Sequence, residues 1–205
     1  MAERLEIPKD ISPKDFFEKF VPEQFEKNKG MLPEPVKAVS ASMVFNLTGD
    51  QGGAWTIRLD KGNLRVSEGD DPDRTVKVIQ SVSDWRGAIS GERGFRLDLP
   101  GAGGGAGAGM PQGSPMTQDK IERLKTIEGA IMFRLTDKEK GDWAITVQFG
   151  KSAKETPDCT ISMSGDDAKA MRKGNLNPQM AFMSGKIDIK GDLGFAMQVG
   201  TTFMM

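Results

Sequence analysis

The side chains that carry out most protein chemistry are scarce in this chain. Among its 205 residues there is no histidine and no tyrosine, and Cys159 is the only cysteine. Without histidine the commonest general base and the commonest metal ligand are gone, and with them every histidine-containing triad. A lone thiol closes no intrachain disulfide and builds no thiolate cage. Cys159 alternates with Ile161 in a strand-like pattern and reads as an inert buried side chain. The acidic pairs Asp70-Asp71 and Asp166-Asp167 lack the alternating oxygen spacing of a calcium loop and read as turn and cap residues. Lys169, Arg172 and Lys173 could draw a carboxylate or a phosphate, or could equally be the cations that complement a helix C-terminus. We therefore expect no catalytic residue, no metal and no cofactor.

Methionine is the abundant special residue: ten of thirteen lie after residue 100. Unbranched thioethers repack easily, which suits a cavity for flexible alkyl chains as well as an ordinary core. Met163, Met171, Met180, Met183 and Met197 are the candidates, with Phe182 among them. Gln179 follows Pro178 at the start of a short helical pattern, where an uncharged amide could bond a polar head group or simply face water. Trp55 and Trp143 stand at equivalent strand positions, for core packing or for ligand contact.

These residues must be positioned by two related stretches of chain. Ser42–Thr48 matches Ala130–Thr136 at an offset of 88, and Gly53–Ile57 matches Gly141–Ile145 at the same offset. Asp73 then matches Asp158 at 85 and Asp84 matches Asp167 at 83, so equivalent elements are separated by slightly shortened loops. Between the copies, Gly101–Gly109 holds six glycines in nine residues and two prolines follow closely. No Lys-Ser or Lys-Thr closes a phosphate loop there, so residues 101–116 read as a linker between units at 1–100 and 117–205.

Within the second unit, Ile131, Phe133 and Leu135 alternate with polar or exposed positions, as do Trp143, Ile145, Val147 and Phe149, and Cys159, Ile161 and Met163. Asp166 and Asp167 could cap a helix ending at Gly174, and Asn177-Pro178 opens another ended by Gly185. Ile187 and Ile189 share one face of a last strand. The expected class is α+β: two units, each a mostly antiparallel sheet of about five strands with helices on one face. Charge is balanced, with 28 Lys+Arg against 29 Asp+Glu, and gives no bulk field toward nucleic acid or anionic lipid. The first residues lack the apolar core of a signal peptide and no window approaches a membrane span, so a cytoplasmic protein is expected.

Two stretches are more specific. Pro157–Met163 and Lys173–Asp192, with the run Gly-x-x-x-Pro-x-x-Ala-Phe-x-x-Gly-Lys-x-x-Ile-x-Gly from Gly174 to Gly191, resemble the type 2 sterol carrier protein family. The similarity continues through Leu193–Met197 and covers residues ~118–203. The first unit is similar over ~13–91, then lacks the Ala-Phe-x-x-Gly-Lys run and offers only Phe95–Leu99. The resemblance implies a non-catalytic carrier with an apolar tunnel between sheet and helices that holds a fatty acid, fatty acyl-CoA or sterol-like lipid. It places Trp143, Met163, Met171, Gln179, Met180, Phe182, Met183, Ile187, Phe195 and Met197 around that lipid. An accessory protein presenting an isoprenoid or quinone-like intermediate to pathway enzymes is the alternative. Transient membrane contact is compatible with either. Because the first unit lacks the roof helix, Phe16, Phe17, Phe20 and Phe25 should fill its ligand space, leaving one lipid per chain.

Overall fold

The computed structural model describes residues 7–90 and 117–204, except residues 9, 33, 140 and 155. The expected linker at 101–116 and the alternation Phe95–Leu99 lie outside the described residues. Among the described residues eight strands form: β1 (Ser40–Thr48), β2 (Gly53–Asp60), β3 (Asn63–Glu68), β4 (Val76–Ser81), β5 (Gly129–Thr136), β6 (Trp143–Phe149), β7 (Cys159–Ser164) and β8 (Ile187–Gly191). They make a single sheet in the order β3-β2-β1-β4-β6-β5-β7-β8.

The expectation of two sheets with about five strands each is therefore corrected. On the N-terminal side β2 carries an outer neighbour, β3, and β4 has none from its own half; on the C-terminal side β7 carries β8, and β6 has none. A bare edge leaves a row of backbone donors and acceptors without partners. The two bare edges satisfy each other: β4 and β6 pair antiparallel, with Val76 opposite Phe149 and Val78 opposite Val147. Only β1/β4 and β5/β7 are parallel pairs, so the sheet is mostly antiparallel as expected.

The same pairings recur on the two sides of this junction. Thr48 stands opposite Ser81 and Phe45 opposite Val78; Thr136 stands opposite Ser164 and Phe133 opposite Ile161. The hairpins differ by one pair. Trp55 faces Phe45, whereas Trp143 faces Leu135 and Phe133 faces Ile145. A shift of two residues keeps every side chain on its face, which is why the alternation survives it.

One face is apolar across all eight strands. Phe45, Trp55, Val66, Val78, Val147, Ile131, Cys159, Ile161 and Ile189 all lie on it, linked strand to strand by register. The helices that follow or precede the strands bury it. On the N-terminal side, α1 (Pro13–Asp15), a π-helical turn (Phe16–Phe20) and α2 (Val21–Asn28) run together. Pro22 explains the wide turn, because its ring crowds the Glu18 carbonyl and it donates no backbone hydrogen bond. Consecutive Phe16 and Phe17 are both fully buried; Phe17 stacks on Trp55 at 5.0 Å, and Phe16 meets Trp85 edge-on at 5.2 Å. Trp85 belongs to α4 (Val82–Ser90), which lies over β1, β4 and β6 and so bridges the junction. The remaining helices are α3 (Glu34–Lys37), α5 (Gln118–Thr126), α6 (Gly165–Arg172), α7 (Pro178–Met183) and α8 (Leu193–Met204).

Candidate functional site: an apolar strip on the C-terminal half

The candidate site begins at the end of β7. The cap of α6 is Ser164 rather than the expected Asp166 or Asp167: its Oγ accepts from the Asp167 N–H at 3.0 Å and donates to the Asp167 carboxylate at 2.7 Å. This reciprocal pair satisfies donors that the first helical turn leaves open. Asp167 also takes a bond from Lys186 at 2.7 Å, and the Lys186 ammonium, then the Ser164 hydroxyl, hold its carboxyl below the usual range. That contact ties the start of α6 to the entry of β8. Asp166 pairs with Lys169 at 3.2 Å within the first turns of α6, so neither carboxylate is the N-cap itself. Lys173 is exposed, and the side chain of Arg172 lies outside the described residues.

At the other end of β7, Asp158 fastens three segments. Its carboxylate accepts from the Ala130 N–H at 2.9 Å and from Lys154, its backbone N–H donates to Ala130 and its carbonyl accepts from Asp192, both at 2.8 Å. The Lys154 bond first, then the Ala130 N–H, lower its carboxyl from the ordinary value. Asp192 in turn caps α8 through the Phe195 N–H at 2.9 Å. The Phe195 ring lies against Gly129, where a methyl group would stand 2.5 Å from ring carbon, so only glycine admits that approach. Neither Asp158 nor Gly129 belongs to the expected site; the signal for Gly129 is a lone glycine at the head of a strand.

Between these two anchors runs a strip of apolar side chains that no helix seals. Met163 stands opposite Ile187 and Ile161 opposite Ile189; with Phe133 of β5 and Met171 of α6 they are all partly exposed. Phe195 closes one end, 9% exposed and 6.3 Å from Phe149. Of α7 only Ala181 is buried; Met180, Phe182 and Met183 are 68%, 46% and 80% exposed, and Met197 of α8 is 64% exposed. Gln179 is exposed too, its backbone held by the Asn177 cap at 2.8 Å. The structure thus brings Met163 and Ile187 together on one sheet face with Phe195 at its Gly129 end, and leaves Met171 partly exposed on α6 and Met180, Phe182, Met183 and Met197 exposed on α7 and α8. It does not gather Trp143. That side chain is buried in the core, and its indole N–H donates to the Asp84 carbonyl at 2.9 Å beneath α4. Phe133, Ile161 and Ile189 were missing from the expected site, although the period-two pattern already put them on its face. Cys159 is buried beside them, and desolvation first, then the Asp192 and Asp158 carboxylates, push its thiol up.

A polar strip would need partners; this one offers almost none. What it can do chemically is exclude water from an alkyl surface. The family model for "SCP-2 sterol transfer family" matches residues 23–99 and 113–204. The chain belongs to the SCP-2 sterol transfer family. Hydroxysteroid dehydrogenase-like protein 2 of Xenopus tropicalis is 37% identical over 84 residues, 38% of this chain and 20% of that protein. Sterol carrier protein 2 of Rattus norvegicus is 36% identical over 92 residues, 41% of this chain and 17% of that protein. The matches therefore span no more than a fifth of these curated relatives' length. Among solved structures, sterol carrier protein domain 2 of Helicoverpa armigera is 29% identical, covers 42% of this chain and 71% of its own, and gives a TM-score of 0.32. Sterol carrier protein 2 from Yarrowia lipolytica in its apo form is 28% identical, covers 42% and 74%, and gives 0.31. No helix among the described residues is long and apolar enough to cross a membrane.

Proposed function

We propose that this chain binds and transfers a lipid, namely a fatty acid, fatty acyl-CoA or sterol-like molecule, on the strip between β7, β8 and α6 through α8. One observation carries this reading. The same apolar sheet face is filled by Phe16, Phe17 and Trp85 in the N-terminal half, each 0% exposed, whereas toward the outer strands of the C-terminal half Phe133, Ile161, Met163, Ile187 and Ile189 stay partly exposed. Met180, Phe182, Met183, Leu193 and Met197 on α7 and α8 are exposed, and an apolar ligand gives such side chains a partner. Family membership supports the same class of ligand.

The energetics are sufficient without a strong polar anchor. Burying a chain of ~16 methylenes at ~0.8 kcal/mol each gives about 13 kcal/mol gross. Ordering and immobilisation take back ~4–10 kcal/mol, leaving binding in the micromolar to nanomolar range. The exposed methionines of α7 and α8 form the entry, and their flexible side chains follow the lipid as it slides in from a membrane surface. In this reading residues 117–205 form the binding unit, 1–100 the filled unit and 101–116 their connector, and no chemistry is performed on the lipid.

Titration of the purified chain with a fluorescent 16-carbon fatty acid, checked by native mass spectrometry, tests this. One lipid per chain is expected. Absence of any bound lipid, or two equivalent sites, would overturn it.

A further inference from the structure

Strand register puts two helix positions in the same place relative to their own halves of the sheet. Ser81 lies opposite Thr48 and Ser164 opposite Thr136. Each serine caps the helix that follows: the Ser81 hydroxyl accepts from the Asp84 N–H at 2.9 Å, as Ser164 does from Asp167 at 3.0 Å. The next residues are Trp85 and Ala168, each the fourth position beyond its cap. Both face the apolar side of the sheet.

Their occupants differ by an indole. Trp85 is 0% exposed, edge-on to Phe16 at 5.2 Å and tilted against Phe17 at 6.2 Å. Ala168 is a partly buried methyl packed against the margin of the core. The neighbouring helix positions follow suit: Ala88, one turn beyond Trp85, is buried, while Met171, one turn beyond Ala168, is partly exposed. A tryptophan brings an aromatic surface of ~150–250 Å² into a core, comparable with several methylenes of an alkyl chain.

We propose that residue 168 sets the capacity of the lipid site. Ala168 leaves open in the C-terminal half the space that Trp85 fills in the N-terminal half, and the length of chain that fits is measured from that methyl group. The proposal rests on the lipid-binding reading above and adds to it a residue that determines which lipids are accepted.

The test is a titration of the full chain with fluorescent fatty acids of ten and sixteen carbons, for wild type, Lys151→Ala, Ala168→Leu and Ala168→Trp. Lys151→Ala, at an exposed pair with Asp73, should bind as wild type does. Each methylene excluded from the site weakens binding roughly fourfold. Ala168→Leu should therefore lose the longer probe by about tenfold more than the shorter one. Ala168→Trp should lose the longer probe by about 100-fold or more while keeping its thermal transition. Should Ala168→Trp fail to fold, the chain-length preference of Ala168→Leu decides. Wild-type binding with unchanged affinity and length preference in the leucine and tryptophan variants overturns the role of residue 168 alone. A wild type that binds neither probe overturns the lipid reading and this proposal together.

Discussion

Phe182 is half in water, which makes it a clean probe of binding. A carboxylate there is hydrated in the unliganded protein, so Phe182→Asp should fold with unchanged thermal stability. Against an alkyl chain the same carboxylate must be stripped of water, at a cost of several kcal/mol. We expect loss of fatty-acid affinity by at least about tenfold, measured by fluorescence titration. Lys151→Ala, at an exposed pair with Asp73 3.4 Å away, should bind as wild type does. Asp71 is one of the carboxylates through which acid acts. Burial opposes its charge, but the Ser42 hydroxyl, the Arg58 guanidinium and the Asp73 N–H outweigh that and hold its carboxyl at about 2, below the ordinary 3.8. A lowered folded-state value stabilises the fold above about 4 and loses that contribution as pH falls toward 2, about 2 kcal/mol in all. In Asp71→Asn the neutral-pH stability should drop by about that amount, and the slope of stability between pH 4 and 2 should flatten. An unchanged slope in acid titrations followed by circular dichroism would contradict the assignment.

Elements were legible in the sequence where their signal is local. The period-two runs gave β5, β6 and β7, and Asn177-Pro178 and Gly185 bracketed α7 as they stand, because proline at the first helical position and glycine past the end act on neighbouring backbone alone. The cap of α6 was misplaced by two or three residues, since Ser164, Asp166 and Asp167, all within four residues, suit that duty. Ser164→Ala should cost about 1 kcal/mol, read as a shift in the denaturation midpoint. The strip itself was half legible. Residue type placed Met163 and Ile187 on one face, where β7 and β8 pair them, but Trp143 lies elsewhere because its destination depends on α4, an element of the other half. The closure of α8 depends on Gly129, whose role needs the Phe195 ring, 66 residues away, to be seen. Gly129→Ala should displace that ring, loosen α8 and destabilise the protein by about 1–3 kcal/mol, with amide exchange in α8 accelerating before that in β1.

At the scale of the whole molecule, the sheet order was hidden because pairing between β4 and β6 leaves no local trace; it follows from which strands are missing at two distant edges. That junction is reinforced on several sides. Arg74 donates to the Ser152 carbonyl at 2.8 Å, Gln118 accepts from the Ser40 N–H at 2.8 Å, and the indole of Trp143 reaches α4. Two halves joined this way should unfold in one transition, so calorimetry should show a single endotherm with matching van't Hoff and calorimetric enthalpies. Cutting an engineered protease site within residues 101–116 should leave the two fragments co-eluting as one particle. Separate elution would show that β4 and β6 do not hold the halves together.

The strand β6 reads Trp-Ala-Ile-Thr-Val-Gln-Phe, with no charge and no proline. Beside β4 it is an interior strand, and its adhesive character has no outlet. Produced without residues 1–100, the same seven residues become a flat, neutral sheet margin of the kind that recruits identical copies. An isolated C-terminal half is then expected to dimerise or aggregate through β6, so the N-terminal half acts as the solubility partner of the C-terminal one.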